Sequence, residues 1–172
     1  MNHLLPFKTH TDEIKVEAEF LAFGDGLIIG FAMNDSKSLI QDGLVPGEFC
    51  EDDLRRADGL WQTTCFEAFW GIKGQKGYWE LNLSAARPEW NLYRFDSPRL
   101  PAPPRPSADF TLKSLRRTSD SLLCALKTSL KLTHLEKNLC AVVRVRSTIH
   151  YYSERHAGSQ PDFHNRRTWS AV

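Results

Sequence analysis

Between Trp61 and Arg99 the chain concentrates the side chains best suited to holding a polar ligand. Four of its five tryptophans, Trp61, Trp70, Trp79 and Trp90, lie there among acids, amides and guanidinium groups. Flat aromatic rings cover the apolar C–H faces of a sugar, while carboxylates, amides and guanidinium groups read its hydroxyls directionally. On this reading Glu67, Glu80, Asn82, Trp90, Tyr93, Arg94 and Arg99 are the candidate ligand-binding residues. Period-two alternation in Tyr78–Ser84 puts Tyr78, Glu80, Asn82 and Ser84 on one face and Trp79, Leu81 and Leu83 on the other. The second set reads as core. The first is a row of hydrogen-bonding groups that either faces water or lines a groove, and each tryptophan taken alone also reads as a core anchor.

Two facing carboxylates, Glu67 and Glu80, would be the acid and base of a glycoside hydrolase if they stood roughly 5–9.5 Å apart with separated pKa values. Whether Glu67 lies beside Glu80 and Asn82 depends on a register that the loop Gly71–Gly77 leaves open. Carboxylates on neighbouring strands are common on any polar sheet face, so no residue is given a catalytic role and hydrolysis stands as the alternative. The tail holds His150, His156, His164 and Asp162 at spacings that match no metal motif, and no metal is expected. Pro161-Asp162-Phe163-His164 is expected to fold back on the domain, with Phe163 buried and Asp162 accepting hydrogen bonds. No nucleophile elbow, phosphate-cradling glycine loop or H-E-x-x-H motif occurs.

The elements that must position these residues are strands. Ile14–Phe20 alternates apolar and charged residues, Gly24-Asp25-Gly26 supplies a tight turn, and Leu27–Met33 reads as a more apolar second strand. Asn34–Gly59 reads as a long surface connection with a charged cluster, Glu51–Arg56, that could hold a short helical turn. Thr63–Trp70 and Tyr78–Ser84 form a second hairpin, and Trp90–Phe95 continues the meander. Pro98, Pro101, Pro103, Pro104 and Pro106 mark a crossover, beyond which 110–116, 121–128, 140–147 and 149–153 suit strands. Short strands with turn chemistry between them and no long 3.6-period segment predict an all-β fold, an antiparallel two-sheet sandwich.

A chain of 172 residues suits one domain over 1–172, since domains typically run to roughly 100–200 residues. With 41% hydrophobic and 25% charged residues it can build a core unaided, which excludes a disordered or collagen-like chain. A net charge of +1 leaves no global field to draw it onto nucleic acid or an anionic membrane, so neither is an expected partner. The first residues lack a signal-peptide pattern and no apolar run reaches membrane length, so the expected location is the cytoplasm. Cys50, Cys65, Cys124 and Cys140 show no C-x-x-C spacing and read as free, mostly buried thiols.

The block Asp58–Phe69, followed by Tyr78–Ser84, Trp90–Asp96, Arg99 and Pro161–His164, resembles the bacterial DOMON-like proteins, a superfamily that includes the family 9 carbohydrate-binding modules. The resemblance covers nearly the whole chain. It implies a β-sandwich of two antiparallel sheets whose concave face or mouth binds a ligand, a sugar or, in cytochrome relatives, haem. Haem would want an axial Met and His, yet Met33 is the only methionine besides Met1 and lies in an apolar strand, so no cofactor is expected. The function expected is a non-catalytic module for a saccharide or similar small polar ligand. A structural module that pairs a strand edge with a second copy, forming a homodimer, is a further reading.

Overall fold

The computed structural model describes residues 1–7, 14–40, 42–96 and 105–172. Fourteen strands form among them. The first five are β1 (Asn2–Pro6), β2 (Ile14–Phe23), β3 (Gly26–Asp35), β4 (Gly47–Cys50) and β5 (Arg55–Arg56). Then come β6 (Cys65–Ile72), β7 (Tyr78–Ser84), β8 (Glu89–Phe95), β9 (Arg105–Pro106) and β10 (Phe110–Arg117). The last are β11 (Ser121–Thr128), β12 (Leu135–Val145), β13 (Thr148–Ser153) and β14 (Ser170–Ala171). Helical structure among the described residues is confined to three single 3-10 turns, Glu51–Asp53, Leu60–Gln62 and Arg166–Thr168. The fold is all-β, and no helix is long and apolar enough to cross a membrane among the described residues.

One hydrogen-bonded path, β4-β10-β11-β3-β2-β1-β13-β12-β6-β7-β8-β5, runs through the whole sheet. Strand β1 is the corner: Asn2–Leu4 pairs with Ala18–Val16 of β2, and Leu5–Pro6 pairs with Ser153–Tyr152 of β13. The sheet therefore curls like a half-barrel, and its two halves share one apolar core. Phe31 of β3 meets Phe66 of β6 at 5.0 Å between ring centroids, and Phe110 of β10 packs edge-on to Trp70 at 5.1 Å and Trp79 at 5.4 Å. Burying each such ring contributes about 1.5–3 kcal/mol.

Local sequence explains the strands. In β2, Ile14, Val16, Ala18 and Phe20 are buried while Lys15 and Glu17 are exposed, as period two requires. Gly24, at φ +52°, lets the β2–β3 turn close. The connection read from Asn34 to Gly59 contains more order than its composition suggests. Its Gly47–Cys50 piece pairs with β10, and Arg55–Arg56 runs parallel to β8. Pro106 joins a short strand beside Tyr93, and Pro98, Pro101, Pro103 and Pro104 fall outside the described residues.

Candidate ligand-binding face

Antiparallel register aligns polar groups from five strands in one row on the face of β13-β12-β6-β7-β8 turned away from the shared core. Ser153 stands opposite Cys140, Cys140 opposite Glu67, Glu67 opposite Asn82, and Asn82 opposite Asn91. The neighbouring row runs Asn138, Phe69, Glu80 and Tyr93. Every residue of β7 is buried, including Glu80, Asn82 and Ser84. The polar face is thus neither solvated nor an open groove. Two segments cover it: the C-terminal residues Phe163, His164 and Trp169 pack over Phe69, Tyr78 and Cys140, and Leu60 packs beside Cys65. Glu67 lies on the same face and is only 4% exposed.

Hydrogen bonds bind the face to its covers. The Asn82 side-chain amide donates to Glu80 Oε1 at 2.7 Å, and the Cys65 thiol approaches Asn82 Oδ1 at 3.6 Å. Glu80 Oε2 lies 3.7 Å from His164 Nε2, whose ring Nδ1 is 2.8 Å from the Tyr78 hydroxyl. On the other flank the Tyr93 hydroxyl donates to Asp58 at 2.6 Å, and the Asn91 amide donates to Asp58 at 2.9 Å. Arg56 donates to Asn91 Oδ1 and to the Ser107 carbonyl. Arg166 clamps the tail down by donating to the carbonyls of Ile72, Gln75 and Lys76 and pairing with Glu136.

Glu67 is buried within reach of the Glu80 carboxylate. Burial, and then the Glu80 carboxylate, push its carboxyl well above the usual range. Burial, reinforced by Glu67, likewise raises the Cys65 and Cys140 thiols. Burial followed by the Asp58 carboxylate raises the Tyr93 phenol. At the edge of this acidic face Trp61 is 41% exposed and meets the Tyr93 ring edge-on at 6.3 Å.

Of the residues expected from sequence, Glu67, Glu80, Asn82 and Tyr93 share this face. Trp90 and Arg94 alternate to the opposite side of β8. Trp90 is 6% exposed in the shared core with Arg56 stacked 4.2 Å from its ring centroid. Arg94 lies 4.1 Å over the Trp79 ring and 3.7 Å from Asp96. Arg99 lies outside the described residues. Asp58, Trp61, Asn91 and His164 belong to the same assembly but are not among those seven candidates. Asn91 follows from alternation with Tyr93, whereas the fold-back expected of Pro161–His164 does not say that His164 meets Tyr78, 86 residues away along the chain. Among the described residues no group of three His, Cys, Asp or Glu side chains could hold a metal ion.

No protein-family model matches the chain, and no curated protein matches it. Among solved structures it superposes on a proposed carbohydrate-binding protein from Bacteroides uniformis ATCC 8492 with a TM-score of 0.63 and 10% sequence identity. The match covers 99% of this chain and 84% of that one, and establishes that the two share a fold.

Proposed function

We propose that this chain is a non-catalytic module that binds a carbohydrate or similarly small polar ligand at the border of this face where Trp61 is exposed. The observation that carries the reading is the exposed Trp61 ring set edge-on against Tyr93 at the border of a face that gathers Glu67, Glu80, Asn82 and Asn91. Trp61 offers a ring to stack on a sugar, and the acids and amides behind it offer polar contacts. The role proposed for the Bacteroides uniformis protein of like fold supports the same class of ligand. Titrating a panel of mono- and disaccharides against tryptophan fluorescence tests it. Saturable binding weakened by Trp61→Ala is expected, and silence across the panel removes the proposal.

The finer reading of the fold is a single DOMON-like domain over 1–172, its two halves acting as the layers of a sandwich, supported by the core they share. A cytoplasmic site of action is supported by four free thiols, three of them buried. A homodimer through the outer face of the other half is supported by Leu21, Phe23 and Leu123, which that half leaves exposed.

One observation favours the hydrolase reading. Glu67 stands opposite Asn82, so Glu80 is its diagonal neighbour on the same face, an arrangement that spaces backbones by about 7–8 Å. A raised Glu67 would be the acid and Glu80 the base. Hydrolysis of an aryl glycoside abolished by Glu80→Gln supports this reading, and the absence of turnover with the intact chain overturns it.

A further inference from the structure

The half of the sheet without the polar row, β4-β10-β11-β3-β2-β1, has an outer face of its own, turned away from the shared core. Alternation decides what stands on it. In β2 the residues Glu19, Leu21 and Phe23 point outward while Val16, Ala18 and Phe20 are buried. Leu21 is 55%, Phe23 56% and Leu123 43% exposed, three large apolar side chains left outside the core on one face.

Register arranges that face in cross-strand rows whose two ends are unlike. One row runs Arg116, Leu123, Gly30 and Glu19 across β10, β11, β3 and β2, with a cation at one end and a carboxylate at the other. The next runs Ser114, Ala125, Ile28 and Leu21 over the same four strands, small on β10 and β11 and large on β3 and β2. At its small end lies a hollow of about 570 Å³, lined by Ser114, Ala125, Ile28, Leu123 and Arg116 among others. Gly30 keeps the centre of the face low: a Cβ there would stand 3.1 Å from Glu19 and 3.4 Å from Leu123, which lean across it.

A two-fold axis parallel to the strands, between β11 and β3, exchanges the ends of every row. It lays β2 of one copy over β10 of the next and β3 over β11, at the spacing of roughly 10 Å usual between packed sheets. Resting on the homodimer reading above, we infer that a second copy of this chain covers the face in this arrangement, with Leu21 seated in the partner's hollow over Ser114. Ile28 then meets the partner's Ala125 and Leu123 meets the partner's Gly30, large against small each time. Glu19 faces the partner's Arg116, and the symmetry makes that contact twice. Arg116 already holds Glu48 at 3.0 Å, but both side chains are largely exposed, so the pair is weak and the guanidinium can serve a second carboxylate. A contact in which each copy offers the same surface closes at two copies.

Sedimentation velocity of the full chain over roughly 1–200 μM tests the inference. A monomer–dimer equilibrium that weakens with salt is expected. Neither Glu19 nor Arg116 is buried. Glu19→Arg and Arg116→Glu each set two like-charge pairs across the axis, and each alone should raise the dimer Kd about tenfold or more. Mixed in equal amounts, the two variants should dimerise as tightly as the parent, because each supplies the charge that the other lacks. Leu21→Lys, which puts an ammonium into the partner's hollow, should weaken the dimer as well and decides the matter if either charge variant does not fold. Variants that weaken the dimer without recovery on mixing overturn this arrangement and leave the face as the dimer surface. A parent that stays monomeric, or a dimer that none of the three substitutions weakens, overturns the homodimer reading with it.

Discussion

His164 reaches across from the C-terminal segment to Glu80 on β7, with Nε2 3.7 Å from Oε2, and its other ring nitrogen meets Tyr78 of the same strand. A residue near the end of the chain thereby pins the cover onto the polar face of the sheet. Its ring also packs against Phe69 at 5.1 Å and Phe95 at 5.2 Å, so polar and apolar anchoring coincide in one side chain.

Replacing that side chain separates the two contributions. His164→Phe keeps a ring against Phe69 and Phe95 but removes the imidazole contacts to Glu80 and Tyr78, at a cost of about 1–3 kcal/mol. His164→Ala loses both and should cost more. Urea unfolding measures the difference. Amide exchange should rise in 160–169 while that of β2 and β3 stays unchanged, because the cover can open without the core.

Glu67 should make stability fall as pH rises. Its folded-state pKa lies above its unfolded value, so between the two the native chain binds more protons than the unfolded one. The penalty is absent below the unfolded pKa of about 4.3 and grows as pH climbs toward the folded value. Glu67→Gln removes the titration. The variant should gain on the parent by about 1–3 kcal/mol at neutral pH and lose that advantage near pH 4. Urea unfolding across pH 4–8 gives both slopes, and parallel curves would contradict the burial of this carboxyl beside Glu80.

Trp61 and Trp90 should respond oppositely to truncation. Trp90 is 6% exposed in the shared core, and Trp90→Ala should cost about 3–5 kcal/mol. Trp61 is 41% exposed, so Trp61→Ala should change stability by no more than about 0.5 kcal/mol while weakening ligand binding. Thermal melts alongside the saccharide titration show whether the two roles separate.

Thiol labelling should count one accessible cysteine. Cys50 is exposed, with its Sγ 3.0 Å from Asp53 Oδ2, whereas Cys65, Cys124 and Cys140 are buried. Burial pushes Cys124 to about 12 and raises the other two as well. A disulfide reagent at pH 8 should therefore take one equivalent quickly and three more only on unfolding, with Cys50→Ser removing the fast one.

Much of the strand framework was legible because alternation reports a local property. Ile14–Phe20, Leu27–Met33 and Tyr78–Ser84 read as strands from their own side chains, and the observed strands contain them. The pairing of Gly47–Cys50 with β10 was not legible, since β10 lies some sixty residues further along the chain. Trp90 and Tyr93 stand three positions apart on one strand, so the pleat sends them to opposite faces although their chemistry groups them. The proline-rich stretch carrying Arg99 lies outside the described residues and adds nothing to this comparison.

The amino-acid order by itself determined that this is a strand-built protein and that Glu80 and Asn82 point the same way, because period two operates between next-nearest neighbours. Tertiary structure decided the environment into which they point. Register across β12, β6, β7 and β8 brought Cys140, Glu67, Asn82 and Asn91 into one row, and His164 and Phe163 returned from the far end of the chain to cover that side. A long-range closure of this kind depends on which surfaces meet in space. No local periodicity encodes it, and it is what turned a row expected at a surface or in a groove into a buried acidic layer.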